Sequence, residues 1–398
     1  MRVFSRGLRH VATAVIALGF FSLCVGGAGA QSTLTKLNAY LGSFSVGGQY
    51  VTVPGVGTGG QSSEQIDGAM YVAYVIPYTV THKYPIVLIH GGVGAGQAFT
   101  ATPDGRTGWA QYFARQGFAV YIPDQPGRGR SIYVPQVDGP VGNNTVLRME
   151  QLFTATHLFN LWPQAHLQTQ WPGSGVMGDA TFDAFMRGML AALTTPGVQE
   201  TLSRNAGAAL LDRIGPAIVL GRSQSGDYPY LIADARPGMV KAIVDVEGAS
   251  PSFSTAAFPC YICAPYSGEP ATLTPLWGIT NTPITYSPAV TNPLTDLIRV
   301  PNTAPAAKNL GLCWKQGAPV RTLPTLKGIP IMVMVSQSSF AAQNQLCTSQ
   351  YLTQAGVKND FFRLQNVGLF GNGHLMNIEK NSDQIAQFLI DWLGTKGL

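Results

Sequence analysis

Three residues far apart in the chain have the side chains that acyl transfer requires: Ser223, His374 and Glu247. A serine hydroxyl is a poor nucleophile until a neighbouring base takes its proton, and an imidazole does so best when a carboxylate fixes its tautomer and stabilises its cation. Ser223 lies in Gly221-Arg-Ser-Gln-Ser-Gly226, after an apolar run and before a helical pattern. That is the setting of a sharp strand-to-helix turn that lifts one serine above a sheet. Small residues flank such a serine because its backbone is strained and neighbouring chains crowd it. Ser225 stands where a second glycine is usual, and a bare Gly-x-Ser-x-Ser string is more often an ordinary loop, so the surrounding residues must decide.

His374 follows a Gly-rich loop, Gly368 to Gly373, and precedes the last helical pattern, where it can reach the carboxyl edge of an open sheet. His82 precedes a strand, and His157 and His166 lie in an inserted region. His90 belongs to a turn on the opposite side; it reads as a hydrogen-bonding residue of that turn, with a role as base the alternative. The usual place for the acid, after the strand ending at Val335, reads Ser336-Gln-Ser-Ser339 and holds none. Glu247, at the end of the preceding strand and followed by Gly248, is the best-placed carboxylate, with Asp245 a rival two residues deeper in an apolar run. Backbone donors for an oxyanion are expected at Gln224 and in the turn His90-Gly-Gly-Val93, with Gly92 the first choice and Val93 the reserve. Such chemistry needs neither a metal nor an organic cofactor.

Positioning these groups requires βαβ units, and strand-like runs alternate with helical patterns in two blocks. The first has a strand at Ile86-Val-Leu-Ile89, a helix on Trp109, Tyr112 and Phe113 that ends near Gly117, a strand at Phe118-Ala-Val-Tyr-Ile122, and a turn from Asp124 to Ser131. The alternation then breaks over about 132–215, an aromatic-rich stretch that reads as a cap inserted over the sheet. The second block has strands at Ala217-Ile-Val-Leu220 and Ala242-Ile-Val-Asp-Val246, a Pro- and Thr-rich excursion over about 251–327, and further strands at Ile329 to Val335 and Phe361 to Leu364. A helix on Ile385, Phe388, Leu389, Trp392 and Leu393 closes it, with Asn381 and Gly394 placed to cap its ends. The fold class expected is α/β: a mostly parallel central sheet flanked by helices.

Residues 1–30, with Arg2, Arg6 and Arg9 before the apolar run Val11 to Val25 and a small-residue site ending at Ala30, read as a signal peptide. Residues 31–398 then form one catalytic domain carrying both insertions. Loss of the three arginines takes the net charge from +5 to about +2, and no basic cluster follows them, so neither nucleic acid nor, after cleavage, a membrane is an expected partner. Cys260, Cys263, Cys313 and Cys347 remain, an even number suited to disulfides in an oxidising compartment, with three connectivities open. Cys260-Tyr-Ile-Cys263 has no second Cys-x-x-Cys to complete a zinc site.

Taken together, Ile89-His-Gly-Gly92, Thr102 to Trp109, Asp124 to Ser131, Ser223-Gln-Ser-Gly226, Val246-Glu247 and Gly373-His-Leu-Met376 through Trp392 resemble, in that order, the α/β-hydrolases. Within them the chain is similar to a group of secreted bacterial esterases with a Ser-Glu-His triad, in which the Ser-x-Ser-Gly elbow and the early Glu both occur. Some members carry adjacent cysteines beside the oxyanion turn, where this chain has Gly92-Val93. The resemblance implies hydrolysis of carboxylic esters, small or polymer-derived, through an acyl-enzyme. Lactone, thioester and amide hydrolysis share the triad and remain open, and a non-catalytic module that keeps the fold is the rival from another class.

Overall fold

Four largely apolar runs make strands that are buried on both faces, as a parallel sheet requires. They form the centre of an eight-stranded sheet in a computed structural model that describes residues 36–92, 94–248, 252, 275–302, 304 and 306–398. The expected leader, Val93, Cys260 and Cys263 lie outside the described residues. The strands are β1 (Ala39–Val53), β2 (Ser63–Pro77), β3 (Ile86–Ile89), β4 (Val120–Pro123), β5 (Ala217–Arg222), β6 (Val240–Val246), β7 (Ile331–Val335) and β8 (Asp360–Arg363). Their spatial order is β1-β2-β4-β3-β5-β6-β7-β8. All neighbours from β4 to β8 are parallel, while β2 runs antiparallel to both β1 and β4.

The arm β1–β2 has no counterpart in the sequence reading. Its outer strand carries glycines with positive φ at Gly47 and Gly48 and exposes Tyr40 and Tyr50, 63% and 78% accessible, so no clean hydrophobic alternation marks it. The other strands match the apolar runs to within three residues at either end.

Alternate side chains along each strand feed two cores, one on each face. Val87, Ile89, Val219, Ile243 and Val333 pack under α3 (Pro196–Ile214), α4 (Tyr228–Ala235) and α5 (Gln345–Gln354). Ile86, Leu88, Ile218, Leu220, Val244 and Met334 pack under α1 (Trp109–Arg115) and α6 (Ser382–Thr395). Asn381 does stand before α6, but its side chain pairs with Asn372 instead of capping, and the helix runs one residue past Gly394.

A third cluster joins Met149, Leu152, Phe153, Trp162, Trp171 and Phe182 to Leu375 and Ile378, just beyond His374. Phe182 belongs to α2 (Ala180–Arg187). Helix α3 falls inside the span 132–215 yet packs on the sheet: its Ala206, Leu210 and Leu211 share the core of Val46, Met70 and Ile232. The part of that span that precedes α3 is 132–195.

Of the cysteine pairings left open, Cys313–Cys347 is formed, with Cα atoms 5.1 Å apart, and ties the excursion to α5. Converting both cysteines to alanine is expected to lower the unfolding free energy by about 2–4 kcal/mol, because the cross-link restricts the unfolded chain. Urea denaturation checks this; an unchanged midpoint would contradict it.

Candidate active site

Strand β5 delivers Ser223 on a turn where its own φ is 56°, a left-handed conformation that non-glycine residues rarely adopt. The turn closes because Gly221 has no side chain: a Cβ there would lie 1.9 Å from the Ser225 carbonyl oxygen. Ser225, where glycine is usual, is a brace. Its Oγ accepts the Arg222 N–H at 2.9 Å and donates to the Ile89 carbonyl at 2.9 Å, linking the elbow to β3.

His374 Nε2 lies 2.7 Å from Ser223 Oγ, and its Nδ1 contacts Glu247 Oε2. Glu247 follows β6 with φ 54°, a bend that turns its carboxylate toward the imidazole. Asp245 points elsewhere, accepting the Tyr230 hydroxyl at 3.1 Å and the Gly248 N–H at 2.9 Å. Burial pushes Asp245 up to about 7 despite those two bonds, so it belongs to the packing beneath the site.

Glu247 is fully buried and its oxygens are supplied with donors. Oε1 accepts the Ser336 N–H at 2.7 Å and the Ser336 hydroxyl; Oε2 accepts the Ser339 hydroxyl at 2.6 Å as well as His374. These serines occupy the loop after β7 where an acid is usual, and sequence reasoning missed them. Its only signal was a cluster of hydroxyls at the position that lacked a carboxylate. Burial alone would raise the Glu247 carboxyl, but the charge of His374 and the hydrogen bonds from His374, Ser336 and Ser339 hold it below the ordinary range. His374 lies below the ordinary imidazole value because burial outweighs the attraction of Glu247. Phe340 and Phe153 supply that burial, their ring centroids 4.3 Å and 5.4 Å from the imidazole.

The opposite wall is the turn after β3. A Cβ on Gly91 would lie 2.8 Å from Ser223 Cβ, so only glycine lets this turn approach the serine. At Gly92 the backbone faces the Gln224 side chain, with an added Cβ 3.6 Å from Gln224 Cβ. His90 holds the turn from within: Nδ1–H donates to the Gly91 carbonyl at 2.8 Å and Nε2 accepts the Gln125 N–H at 3.0 Å. Burial and the nearby Arg128 charge push His90 down to about 3, so it stays neutral and serves the turn. Arg128, also missed, donates to the Gly91 carbonyl at 3.0 Å and to Gln224 Oε1 at 3.2 Å, tying together the two segments expected to present oxyanion donors. The stretch Thr102 to Trp109 steadies the histidine loop: Arg106 donates to the carbonyls of Ile378 and Glu379, and Trp109 Nε1 to that of Ser382.

A sheet with this strand order, a serine on a strained turn after β5 and a histidine before the last helix define the α/β-hydrolase class. The chain belongs to that family. It is 42% identical over 324 residues, 81% of this chain and 85% of the relative, to a probable secreted lipase, phiG, of Fungal sp. (strain ATCC 74256). In structure it is similar to a novel bacterial esterase, with a TM-score of 0.57 and 22% identity over 92% of this chain and 98% of that one, a likeness of fold. No family model matches the sequence.

If His374 is the base, it works in its neutral form, and activity lost on acidification should titrate with it. Its depressed value places the acid limb of kcat/KM below pH 6.5. A pH–rate profile checks this, and a limb at or above that value would contradict the burial argument.

Proposed function

We propose that Ser223, His374 and Glu247 form the triad of a secreted serine hydrolase that cleaves carboxylic esters through an acyl-enzyme. The observation that carries the reading is the 2.7 Å contact between Ser223 Oγ and the buried His374, itself backed by Glu247.

His374 Nε2 takes the Ser223 proton as Oγ attacks the ester carbonyl. The imidazolium keeps Nδ1–H on Glu247, which stabilises the new charge without becoming protonated. The tetrahedral oxyanion accepts from the backbone N–H groups of Gly92 and Gln224, an arrangement in which a single donor is worth about 3 kcal/mol. His374 gives its proton to the leaving alcohol, and a water, activated by the same base, releases the acid and restores Ser223.

Residues 31–398 act as one catalytic domain, in which the segment 132–195 is the cap over the site; the described part of the excursion of about 251–327 is not a surface appendage, since Ile279, Ile284, Leu297 and Leu326 pack into the core beneath α4 and α5. Ester hydrolysis and export are both supported by the name of the fungal relative, a probable secreted lipase. Export also fits the leader read at residues 1–30, and no helix among the described residues is long and apolar enough to cross a membrane. The substrate is an ester of a small molecule or one derived from a polymer.

The test is release of 4-nitrophenol from acetate, butyrate and octanoate esters by the wild type and Ser223→Ala. Wild-type turnover should fall at least about a thousandfold in the variant while its circular dichroism stays unchanged. Equal activity in the folded variant would overturn the assignment.

A further inference from the structure

A cavity of about 200 Å³ lies beside the elbow and the histidine loop. Its walls include Gly91, Arg222 and Leu375, the chain neighbours of Gly92, Ser223 and His374, and its far side is formed by Ala184 and Phe185 of α2. Most of this lining is apolar or backbone, and no carboxylate contributes to it.

Arg222 is the cation in that wall and is only 3% exposed. Its Nη2 donates to the His374 carbonyl at 2.6 Å, while its Nε has no hydrogen-bond partner among the described residues. Nη1 lies 3.0 Å from the position a Gly91 Cβ would take, which puts the guanidinium against the oxyanion turn. Burial pulls the arginine down to about 10, against the attraction of Glu247 and Glu379, so it remains charged at neutral pH. Glu247 is already engaged by His374 and two serines, and Glu379 by Asn372 and the Gly373 N–H. A buried guanidinium with one unmet donor, in the wall of a cavity whose lining offers no acid, suits a ligand carboxylate, whose planar oxygens match it and whose charge offsets its own.

We infer that this cavity receives a carboxylate carried by the ester substrate, held by Arg222, so that anionic esters are preferred over neutral ones of the same size. The inference rests on the ester-hydrolase reading and names the substrate class of that site. Arg222 then has two tasks, binding the carboxylate and positioning the histidine loop through Nη2.

The experiment compares kcat/KM, normalised to hydroxide-catalysed hydrolysis, for two matched pairs. Mono-4-nitrophenyl glutarate against 4-nitrophenyl pentanoate places the charge on the acyl side. Acetoxybenzoic acid, the 4-isomer, against its methyl ester places it on the leaving group. At least one anionic ester should be preferred by about tenfold or more, as one charge-assisted contact allows. Arg222→Gln should bring that ratio close to one, along with a general loss of rate as the His374 carbonyl loses its donor. Ala184→Asp, which sets a like charge on the far wall without touching the histidine loop, should lower the same ratio and decides the matter if the arginine variant does not fold. Turnover of the neutral esters with no anionic preference overturns the inference and leaves the hydrolase reading standing. Absence of turnover on all four overturns both.

Discussion

A carboxylate with no solvent exposure persists as an anion only when donors replace the water it has lost. Glu247 meets that condition through His374, Ser336 and Ser339, and much of the surrounding structure exists to hold those donors in place. The bend at Glu247 aims the carboxylate, the loop after β7 brings the serines, and the loop before α6 brings the imidazole. Weakening any one leaves a buried charge short of partners, which is costlier than losing an ordinary hydrogen bond.

The same constraint accounts for the tightness of the site. Ser223 is held in a left-handed conformation by the Gly221 turn, and the turn after β3 lies against it because Gly91 has no side chain. Arg128 and Arg222, both buried, bind carbonyls of the turn after β3 and of the histidine loop. Positive charge is thus fixed beside the elbow and the turn after β3, while His90, whose charged form the same arginines disfavour, stays neutral. The two arginines act on different loops, so the site is braced from both sides of the elbow.

Much of this was legible in the sequence because the central strands are largely apolar runs, two of which end at Ser223 and Glu247, while His374 stands in the loop between the last strand and the last helix. Glu247 emerged by elimination, as the carboxylate left at the sheet's carboxyl edge. What stayed hidden has physical reasons. The β1–β2 arm is an edge with glycines and exposed tyrosines, so its periodicity is weak. Helix α3 packs through small residues, Ala206 and Gly207 among them, and an added Cβ at Gly207 would lie 2.4 Å from Ile232, so its buried face carries no conspicuous stripe. Nothing in the sequence marks Arg128 and Arg222 as buried, because arginine rarely is, and Ser336-Gln-Ser-Ser339 reads as a loop until a carboxylate is placed beside it.

The most direct test of the central claim is covalent labelling of the folded protein with a fluorophosphonate, the modified residue located by peptide mass spectrometry in the wild type and in Glu247→Gln. The account predicts a single adduct on Ser223, formed at least about tenfold more slowly in the variant, where the histidine loses its anionic partner. An adduct on another serine, or labelling of Ser223 at the same rate without Glu247, would contradict it.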